Sequence, residues 1–218
     1  MDRSSKNRLT THLLPHFPGN TLFDRIACAV CRAGCLPRKE LYEAWEVARR
    51  VHRRFRGGRV VDLAAGHGLL AQVLLVLDRE LHEGIGVDLR IPQSAARLAS
   101  EIRAEWPAAA ERFSLLEQDL NLVELRPDDI VVSAHACGSL TDLILAKAAA
   151  ARCRVAVLPC CHDLRSCDDG GVSGWVDGPL AVDVTRAAWL RSQGYRVYTQ
   201  TIPLDITPKN RLLMGEPL

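Results

Sequence analysis

The sequence lacks any continuous apolar run that approaches the ~18 residues of a membrane-spanning helix. Its N-terminal residues are polar and interrupted by prolines, and they do not contain the apolar segment of a secretory signal. It also has no internal repeat and no low-complexity segment. These absences predict a cytoplasmic protein that does not associate with a membrane. In that compartment we expect the eight cysteines to be free thiols, metal ligands or small buried side chains rather than disulfides.

Length and composition indicate one globular domain. The 218 residues can bury one full-sized core but are few for two domains. Hydrophobic residues make up 48% of the chain and charged residues 25%, which is typical of a folded protein rather than a disordered or fibrous one.

The net charge is only +2, but the positive charge is concentrated in one segment, residues 49–59. This segment contains no acid and six arginines, which are Arg49, Arg50, Arg53, Arg54, Arg56 and Arg59. Such a cluster attracts phosphates, and Arg50, Arg53 and Arg54 are the candidate contacts to RNA. The alternative is a solvated helix end, where cations also favour the helix dipole.

The pattern of apolar residues changes near residue 58. Residues 1–57 contain two helical patterns and are interpreted as an N-terminal helical extension. From residue 58 to 218, seven short apolar runs alternate with helical stretches, which predicts an α/β domain with a mostly parallel seven-stranded sheet. The last two runs are joined by a segment too short for a crossover helix, so we expect the final strand to be antiparallel.

The first strand of this domain leads into a glycine turn and then a helix. Gly66 and Gly68 allow a tight turn and close backbone approach to a ligand. Asp88 ends the next strand about 20 residues downstream, where an acid can accept hydrogen bonds from a ribose diol. Asp119 follows the third strand. Ala71 stands where a dinucleotide fingerprint has its third small residue, so this spacing leaves NAD open beside S-adenosylmethionine.

Asp62 before the glycine turn and the antiparallel last strand favour S-adenosylmethionine. The segment Asp62-x-Ala64-x-Gly66-x-Gly68 resembles the first motif of class I S-adenosylmethionine-dependent methyltransferases, from about Arg59 to the C-terminus. This resemblance implies a Rossmann-like methyltransferase fold and S-adenosylmethionine as cofactor. The candidate cofactor-binding residues are Asp62, Ala64, Gly66, His67, Gly68, Asp88, Leu89, Asp119, Leu120 and His135.

Two further motifs follow the fourth and fifth strands. The end of the fourth strand lacks the Asn/Asp-Pro-Pro-aromatic motif of amino methyltransferases, and the chain lacks a clear Lys-Asp-Lys-Glu tetrad. Instead, "HACGSLTD" and "CCH" resemble the family of tRNA ribose 2′-O-methyltransferases that act on the acceptor stem, without that family's N-terminal zinc-finger modules. The matching residues are His135, Cys137, Gly138, Thr141, Asp142, Cys160, Cys161 and His162.

The candidate catalytic residues are His135, Asp142, Cys161 and His162. His135 is the candidate base for a hydroxyl acceptor. Asp142 is expected to orient His135 or to bind the substrate. Cys161 and His162 are expected to line the acceptor pocket.

Asn210 and Arg211, on the final hairpin, are further candidate substrate contacts. Arg211 could reach a phosphate, and Asn210 an acceptor base or sugar.

Metal sites are the alternative interpretation of the cysteines. Cys160 and Cys161 are adjacent, and neighbouring residues of an extended chain point to opposite faces, so this pair favours a pocket wall over a metal site. Cys28, Cys31 and Cys35 have spacing that zinc could use, but the same residues on one helix face also pack as small hydrophobes. We therefore predict no metal site.

Together these patterns predict an S-adenosylmethionine-dependent methyltransferase, with RNA, and tRNA in particular, as the leading partner. The alternatives are a small-molecule or protein methyltransferase, or a catalytically silent RNA- or metal-binding domain on the same fold.

Overall fold

The computed structural model describes residues 2–218. The chain begins with a 3₁₀ helix, η1 (Thr11–His16), and two α-helices, α1 (Leu22–Ala33) and α2 (Arg38–Arg54). Thr21 and Asp24 form a capping box that starts α1, and Gly34 ends it in the left-handed conformation. Pro37 precedes the first residue of α2, where its fixed φ suits helix entry. Both predicted N-terminal helices are therefore present.

A seven-stranded sheet follows, in the order β3-β2-β1-β4-β5-β7-β6. Strands β1 to β5 pair in parallel, and β7 pairs antiparallel with both β5 and β6. All seven predicted strands and the antiparallel last strand are confirmed. The strands are β1 (Gly58–Leu63), β2 (Leu81–Asp88), β3 (Phe113–Glu117), β4 (Asp129–Ser133), β5 (Arg154–Val157), β6 (Tyr195–Thr201) and β7 (Arg211–Pro217).

Helices connect the parallel strands, as the alternating pattern predicts. They are α3 (Leu69–Leu77), α4 (Ala95–Glu105), α5 (Pro107–Ala110), the 3₁₀ helix η2 (Leu120–Leu122), α6 (Ser139–Ala151) and α7 (Gly178–Ser192). Helix α3 ends at Leu77, shortly before β2 begins at Leu81, and the single turn α5 follows α4 after one residue.

The core lies on both faces of the sheet because neighbouring strand residues point to opposite sides. Val60 packs into one cluster with the buried faces of α1, α2 and α3, whereas Val61 packs into the other with α6. The N-terminal helices thus share a continuous core with the sheet. The division between residues 57 and 58 stays a prediction about chain organisation.

Within residues 2–218, no helix combines the length and the apolar character needed to cross a bilayer. The parallel strands instead bring the loops after β1 to β5 to one edge of the sheet. Open α/β sheets bind ligands at this carboxyl edge. It therefore defines where the candidate site lies.

Candidate cofactor and acceptor site

The glycine turn begins at Asp62, whose side chain is buried at the end of β1. The side chain is 2% exposed, and Oδ2 accepts a long hydrogen bond from the Ala71 amide at 3.4 Å. Burial raises the pKa of Asp62 to about 8, so this carboxyl group is mostly protonated at neutral pH. Asp62 therefore acts on the cofactor site by holding the turn against α3.

The turn itself has an unusual backbone, because Ala64 has a φ of 59°. A non-glycine residue in this region is strained, and such strain concentrates at functional sites. Gly68 has a φ of 70°, and a Cβ there would lie 2.6 Å from Phe113 Cζ. Gly66 has a φ of 53°, but a Cβ there would meet no atom within 4 Å. Gly68 is therefore needed for packing, whereas Gly66 borders open space.

Asp88 connects this turn to the end of β2. Its Oδ2 accepts a hydrogen bond from the Gly66 amide at 2.9 Å, and its Oδ1 accepts one from the Arg90 amide at 3.3 Å. The neighbouring Leu89 is 68% exposed at the same edge. His67 lies on the other side of the turn, where its Nε2 is 2.8 Å from Ser94 Oγ.

The third strand end differs from the first two. Asp119 is exposed, and its Oδ1 accepts hydrogen bonds from the Asn121 amide at 2.9 Å and from Asn121 Nδ2 at 3.0 Å. Leu120 is 8% exposed and packs into the core. Asp119 thus caps η2, and the buried Leu120 anchors this loop to the core.

These residues fit S-adenosylmethionine. Asp88 supplies a carboxylate where a ribose diol is expected, Gly66 leaves a space that a Cβ would fill, and Leu89 offers an apolar surface beside them. Asp119 stands at the next strand end with its carboxylate exposed. The predicted cofactor residues therefore gather at one edge, although Asp62 and Leu120 support the site rather than face it.

The candidate acceptor side lies at the ends of β4 and β5. The Gly138 amide donates a hydrogen bond to the Cys161 carbonyl at 3.1 Å, which joins the two loops. Cys137 Sγ lies 3.1 Å from Cys160 Sγ, and Cys160 Sγ lies 3.8 Å from Cys161 Sγ. The two segments singled out in the sequence therefore form one cluster of three thiols.

His135 follows β4 and faces α2. Its side chain is 42% exposed, and its Nε2 lies 3.9 Å from Glu43 Oε2. Desolvation by surrounding atoms, together with the charge of Lys39, lowers the pKa of His135 to about 4. The imidazole is therefore neutral at pH 7, which is the form that accepts a proton, although this pKa makes it a weak base.

The sequence-based prediction missed Glu43, whose side chain is 1% exposed. Neither of its carboxylate oxygens accepts a hydrogen bond within residues 2–218, and Lys39 Nζ lies 3.3 Å from Oε1. Burial raises the pKa of Glu43. A cavity of about 30 Å³ is lined by residues including Glu40, Asp62 and His135. A usable signal was present, since Glu43 falls on the apolar stripe of α2.

Asp142 is not placed to orient His135 directly. Its Oδ1 accepts a hydrogen bond from Arg186 Nε at 2.6 Å, and the buried Arg186 also donates to the Gly138 carbonyl at 2.8 Å. Asp142 therefore holds Arg186, which in turn fixes the turn at Gly138. The expectation that Asp142 orients His135 is corrected to this indirect role.

His162 also differs from the expectation, because its side chain is 1% exposed and turned toward α7. Its Nε2 lies 2.7 Å from Asp183 Oδ1, and Asp183 Oδ2 accepts a hydrogen bond from Arg211 Nε at 2.6 Å. Although burial opposes it, these two bonds hold the pKa of Asp183 below its usual range. Cys161, by contrast, is exposed. Of this pair, Cys161 faces the acceptor side.

The two hairpin candidates have structural partners. Arg211 is paired with Asp183, and Asn210 Nδ2 donates to the Ile202 carbonyl at 2.8 Å. The second bond closes the loop between β6 and β7. Substrate contact by these two residues stays a prediction.

The C-terminal part of the arginine-rich segment lies away from the carboxyl edge. Helix α2 ends at Arg54, and β1 begins four residues later at Gly58, so this helix end adjoins the start of the sheet strands. Arg54 donates to Glu216 at 2.6 Å and lies over the Tyr198 ring at 3.7 Å. Arg50 donates to the Thr201 carbonyl at 3.0 Å, while Arg53 is exposed. Two of the three expected RNA contacts are therefore engaged within the protein.

The three N-terminal cysteines pack in the core. Cys31 and Cys35 are 0% and 5% exposed, and Cys28 Sγ donates to the Phe17 carbonyl at 3.3 Å. Burial raises the pKa of Cys31 to about 11. Within residues 2–218, the group of Cys, His, Asp or Glu side chains close enough to hold a metal consists of the thiols at the acceptor side. The packing interpretation of Cys28, Cys31 and Cys35 is the one that the structure supports.

Solved structures share this fold at low sequence identity. An O-methyltransferase family protein from Burkholderia thailandensis is 19% identical, with a TM-score of 0.53 over 96% of this chain and 63% of that one. A tRNA methyltransferase from B. subtilis is 15% identical, with a TM-score of 0.55 over 81% of this chain and 65% of that one. This chain therefore spans less than two thirds of the length of either protein, and these likenesses concern the fold.

The curated proteins contain no match to this chain. Residues 38–167, more than half of the chain, match a family model described as a methyltransferase domain. That match begins at the first residue of α2 and includes the glycine turn, Asp88 and the thiol cluster. The chain therefore belongs to this family of methyltransferase domains, and its class I fold implies S-adenosylmethionine as the cofactor.

Proposed function

We propose that this chain methylates a hydroxyl group of an acceptor that enters over the carboxyl ends of β4 and β5, with the ribose 2′-hydroxyl of tRNA as the leading acceptor. The observation that supports this proposal is the junction of two distant segments, where the Gly138 amide bonds the Cys161 carbonyl at 3.1 Å. These are the segments that resemble the tRNA ribose 2′-O-methyltransferases. Their contact at the carboxyl edge supports a single reaction site that includes both segments.

When bound, S-adenosylmethionine supplies an electrophilic methyl group on a sulfonium. Asp88 and the turn at Gly66 hold the cofactor, and the protein's main contribution is to place the acceptor oxygen in line. His135, neutral at pH 7, accepts the acceptor proton at Nε2. Glu43, whose pKa is raised by burial, is the acid nearest to the imidazolium that results, with its Oε2 3.9 Å from Nε2. A weak base suffices because bond formation at the oxygen accompanies proton loss.

The arginine-rich end of α2 adds little support for RNA. Arg50 and Arg54 have internal partners, and only Arg53 of the three is free of the hydrogen bonds and ion pairs found within residues 2–218. The RNA proposal therefore rests on the motif resemblance, and RNA contacts are sought at the carboxyl edge.

A small-molecule acceptor is the second candidate. A groove of about 480 Å³ lies between α7 and the β6–β7 hairpin and opens beside Pro159, just after β5. Its lining is mainly apolar, with Leu180, Ala187 and Leu213, and Asp183 and Arg211 supply polar groups. An apolar groove with a few polar groups is typical of sites for small organic ligands.

Transfer of labelled methyl groups from S-adenosylmethionine to total RNA, protein and metabolite fractions tests both candidates. We expect label in tRNA at the ribose, and at least a hundredfold less label with Asp88→Ala. Asp128→Ala is the matched control, since this exposed acid lies at the opposite edge, before β4. Label in the metabolite fraction alone would replace the RNA proposal by the second candidate. No transfer to any fraction, with no binding of the cofactor, would reject methyl transfer altogether.

A further inference from the structure

We propose that Cys137, Cys160 and Cys161 form an open binding site for a thiophilic divalent cation, zinc in particular, at the acceptor side of the fold. The three Sγ atoms all lie within 4.8 Å of one another. They come from two loops 23 residues apart in sequence, so the cluster is a product of the fold and not of sequence adjacency alone. This inference concerns a site separate from the residues assigned to the cofactor.

The distances suit a tetrahedral ion. Two sulfur atoms that each lie about 2.3 Å from zinc at a tetrahedral angle are about 3.8 Å apart. The observed separation of Cys160 Sγ and Cys161 Sγ is 3.8 Å, and that of Cys137 Sγ and Cys160 Sγ is 3.1 Å. The shorter separation involves the exposed Cys137 side chain and must lengthen when an ion binds.

Adjacent cysteines point to opposite faces only in an extended strand. Strand β5 ends at Val157, and residues 158–163 have no regular secondary structure. The hydrogen bond from the Gly138 amide to the Cys161 carbonyl fixes this irregular segment against the loop of Cys137. The third thiol supplies the ligand that the adjacent pair lacks by itself.

The site is supported by buried groups behind it. Gly138 has φ 56° and ψ −132°, a backbone conformation that is suited to glycine. Arg186, which is 3% exposed, donates to the Gly138 carbonyl at 2.8 Å and to Asp142 at 2.6 Å. Metal sites are commonly oriented by such contacts behind the ligands. The Asp142–Arg186 pair thus has a positioning role for the thiols.

The cluster is also accessible. Cys137 and Cys161 are exposed and Cys160 is half-buried, so an ion can enter from solvent. An entering ion is bound by thiolates and therefore displaces thiol protons. Three protein ligands leave a fourth position for water or substrate, as in catalytic zinc sites. If the proposed function holds, this position adjoins the acceptor.

Metal content and cobalt spectroscopy test the site without any activity assay. The full chain, reduced and stripped of metal, is titrated with Zn²⁺ and, separately, with Co²⁺. We expect one equivalent to bind, with the charge-transfer absorption of thiolate-bound tetrahedral cobalt. Cys137→Ser and Cys161→Ser should each weaken binding at least tenfold. Cys28→Ser, at a packed cysteine outside the cluster, should bind as the parent does.

Several outcomes would overturn the proposal. These are less than stoichiometric binding to the parent, equal affinity in Cys137→Ser and Cys161→Ser, or loss of binding in Cys28→Ser. A Cys137–Cys160 disulfide that persists in reductant and prevents binding would also reject it. If a cluster variant fails to fold, as judged by circular dichroism, the cobalt spectrum of the parent decides: a spectrum without thiolate charge transfer rejects the site.

Discussion

The two halves of the carboxyl edge differ in how their polar groups are satisfied. On the cofactor side, Asp88 accepts amide hydrogen bonds with both oxygens, and His67 is bonded to Ser94. On the candidate acceptor side, Glu43 is ion-paired with Lys39 but accepts no hydrogen bond within residues 2–218, and the thiols contact mainly one another. Buried polar groups without partners are costly. The fold therefore preorganises the candidate cofactor side, whereas the candidate acceptor side carries groups that a ligand is expected to satisfy.

Replacement of His135 should have the largest effect and should separate the two sides. We expect His135→Ala to lower the rate of methyl transfer by about 10²–10³-fold, since a positioned base contributes on this order. Binding of S-adenosylmethionine, measured by calorimetry, should change far less than the rate, because His135, although also a candidate cofactor contact, lies outside the glycine turn. A loss of cofactor affinity as large as the loss of rate would show that His135 also binds the cofactor, and it would contradict the separation of the two sides.

The same variant has a pH signature. Because the pKa of His135 is lowered to about 4, the unfolded chain binds more protons than the folded one between about pH 4 and 6.5. His135 therefore makes the folded state less stable as pH falls through this range. Urea unfolding at pH 7 and pH 5 should show a smaller loss of stability in His135→Ala than in the parent. An unchanged loss would contradict the depressed pKa.

Alanine substitutions of the two glycines in the turn should distinguish a packing role from a role in ligand binding. Gly68→Ala places a Cβ 2.6 Å from Phe113 Cζ at a φ of 70°, so we expect about 2–3 kcal/mol of destabilisation. Gly66→Ala has open space and should lose only about 1 kcal/mol, from the left-handed backbone. Its cofactor affinity should nevertheless fall at least tenfold. Thermal unfolding measures the stability of both variants, and calorimetry measures their affinity for the cofactor. Equal losses of stability and of affinity in the two variants would contradict the different roles of Gly66 and Gly68.

Asp62 provides a smaller test of the buried support under the cofactor side. With a pKa of about 8 when folded and 3.8 as its reference value, the folded state binds the extra proton between these values. Its contribution to stability is complete below about pH 4 and falls as pH rises toward 8. Asp62→Asn, which cannot ionise, should therefore gain about 1–2 kcal/mol relative to the parent between pH 5 and pH 8.

Asp119→Asn, at an exposed cap, is the control for this pH dependence. It should show no comparable gain, because its carboxyl group lies outside the core. A gain of similar size in both variants, or none in Asp62→Asn, would contradict the raised pKa of Asp62.

Substitutions of Arg53 and Arg54 should give the smallest effects, and they test the end of α2 that lies opposite the carboxyl edge. Arg54→Ala removes an exposed ion pair with Glu216 and a cation–π contact with Tyr198, so we expect about 1 kcal/mol of lost stability. Arg53→Ala should leave stability unchanged and should alter tRNA affinity less than about twofold at 0.15 M salt. A tenfold loss of tRNA affinity in Arg53→Ala would move the RNA contact to this end of α2.

The sequence predicted the fold and the cofactor side better than the acceptor side. Strand and helix patterns, the glycine turn and the acids at strand ends are local features, so their spacing suffices to place them. The partners of Asp142 and Arg54 are 44 and 162 residues away. Such pairings depend on tertiary contacts that spacing does not encode. Cys137 likewise meets Cys160 only because β4 and β5 are neighbours in the sheet.

Glu43 illustrates a different limit. The helical pattern of α2 places it on the buried stripe, but a single buried acid can serve packing or chemistry. Its two unsatisfied oxygens and its distance of 3.9 Å from His135 Nε2 are properties of the folded chain. The sequence could have identified Glu43 as an acid on a buried helix face, but it could not have identified its contact with His135.

Calorimetric titration of S-adenosylmethionine into the parent, Asp88→Ala and Asp128→Ala tests the assignment of the cofactor side most directly. We expect one equivalent to bind to the parent and to Asp128→Ala with equal affinity, and binding to Asp88→Ala to be at least a hundredfold weaker. Circular dichroism and thermal unfolding confirm that all three proteins are folded. Equal affinity in Asp88→Ala, or no binding to the folded parent, would contradict the assignment.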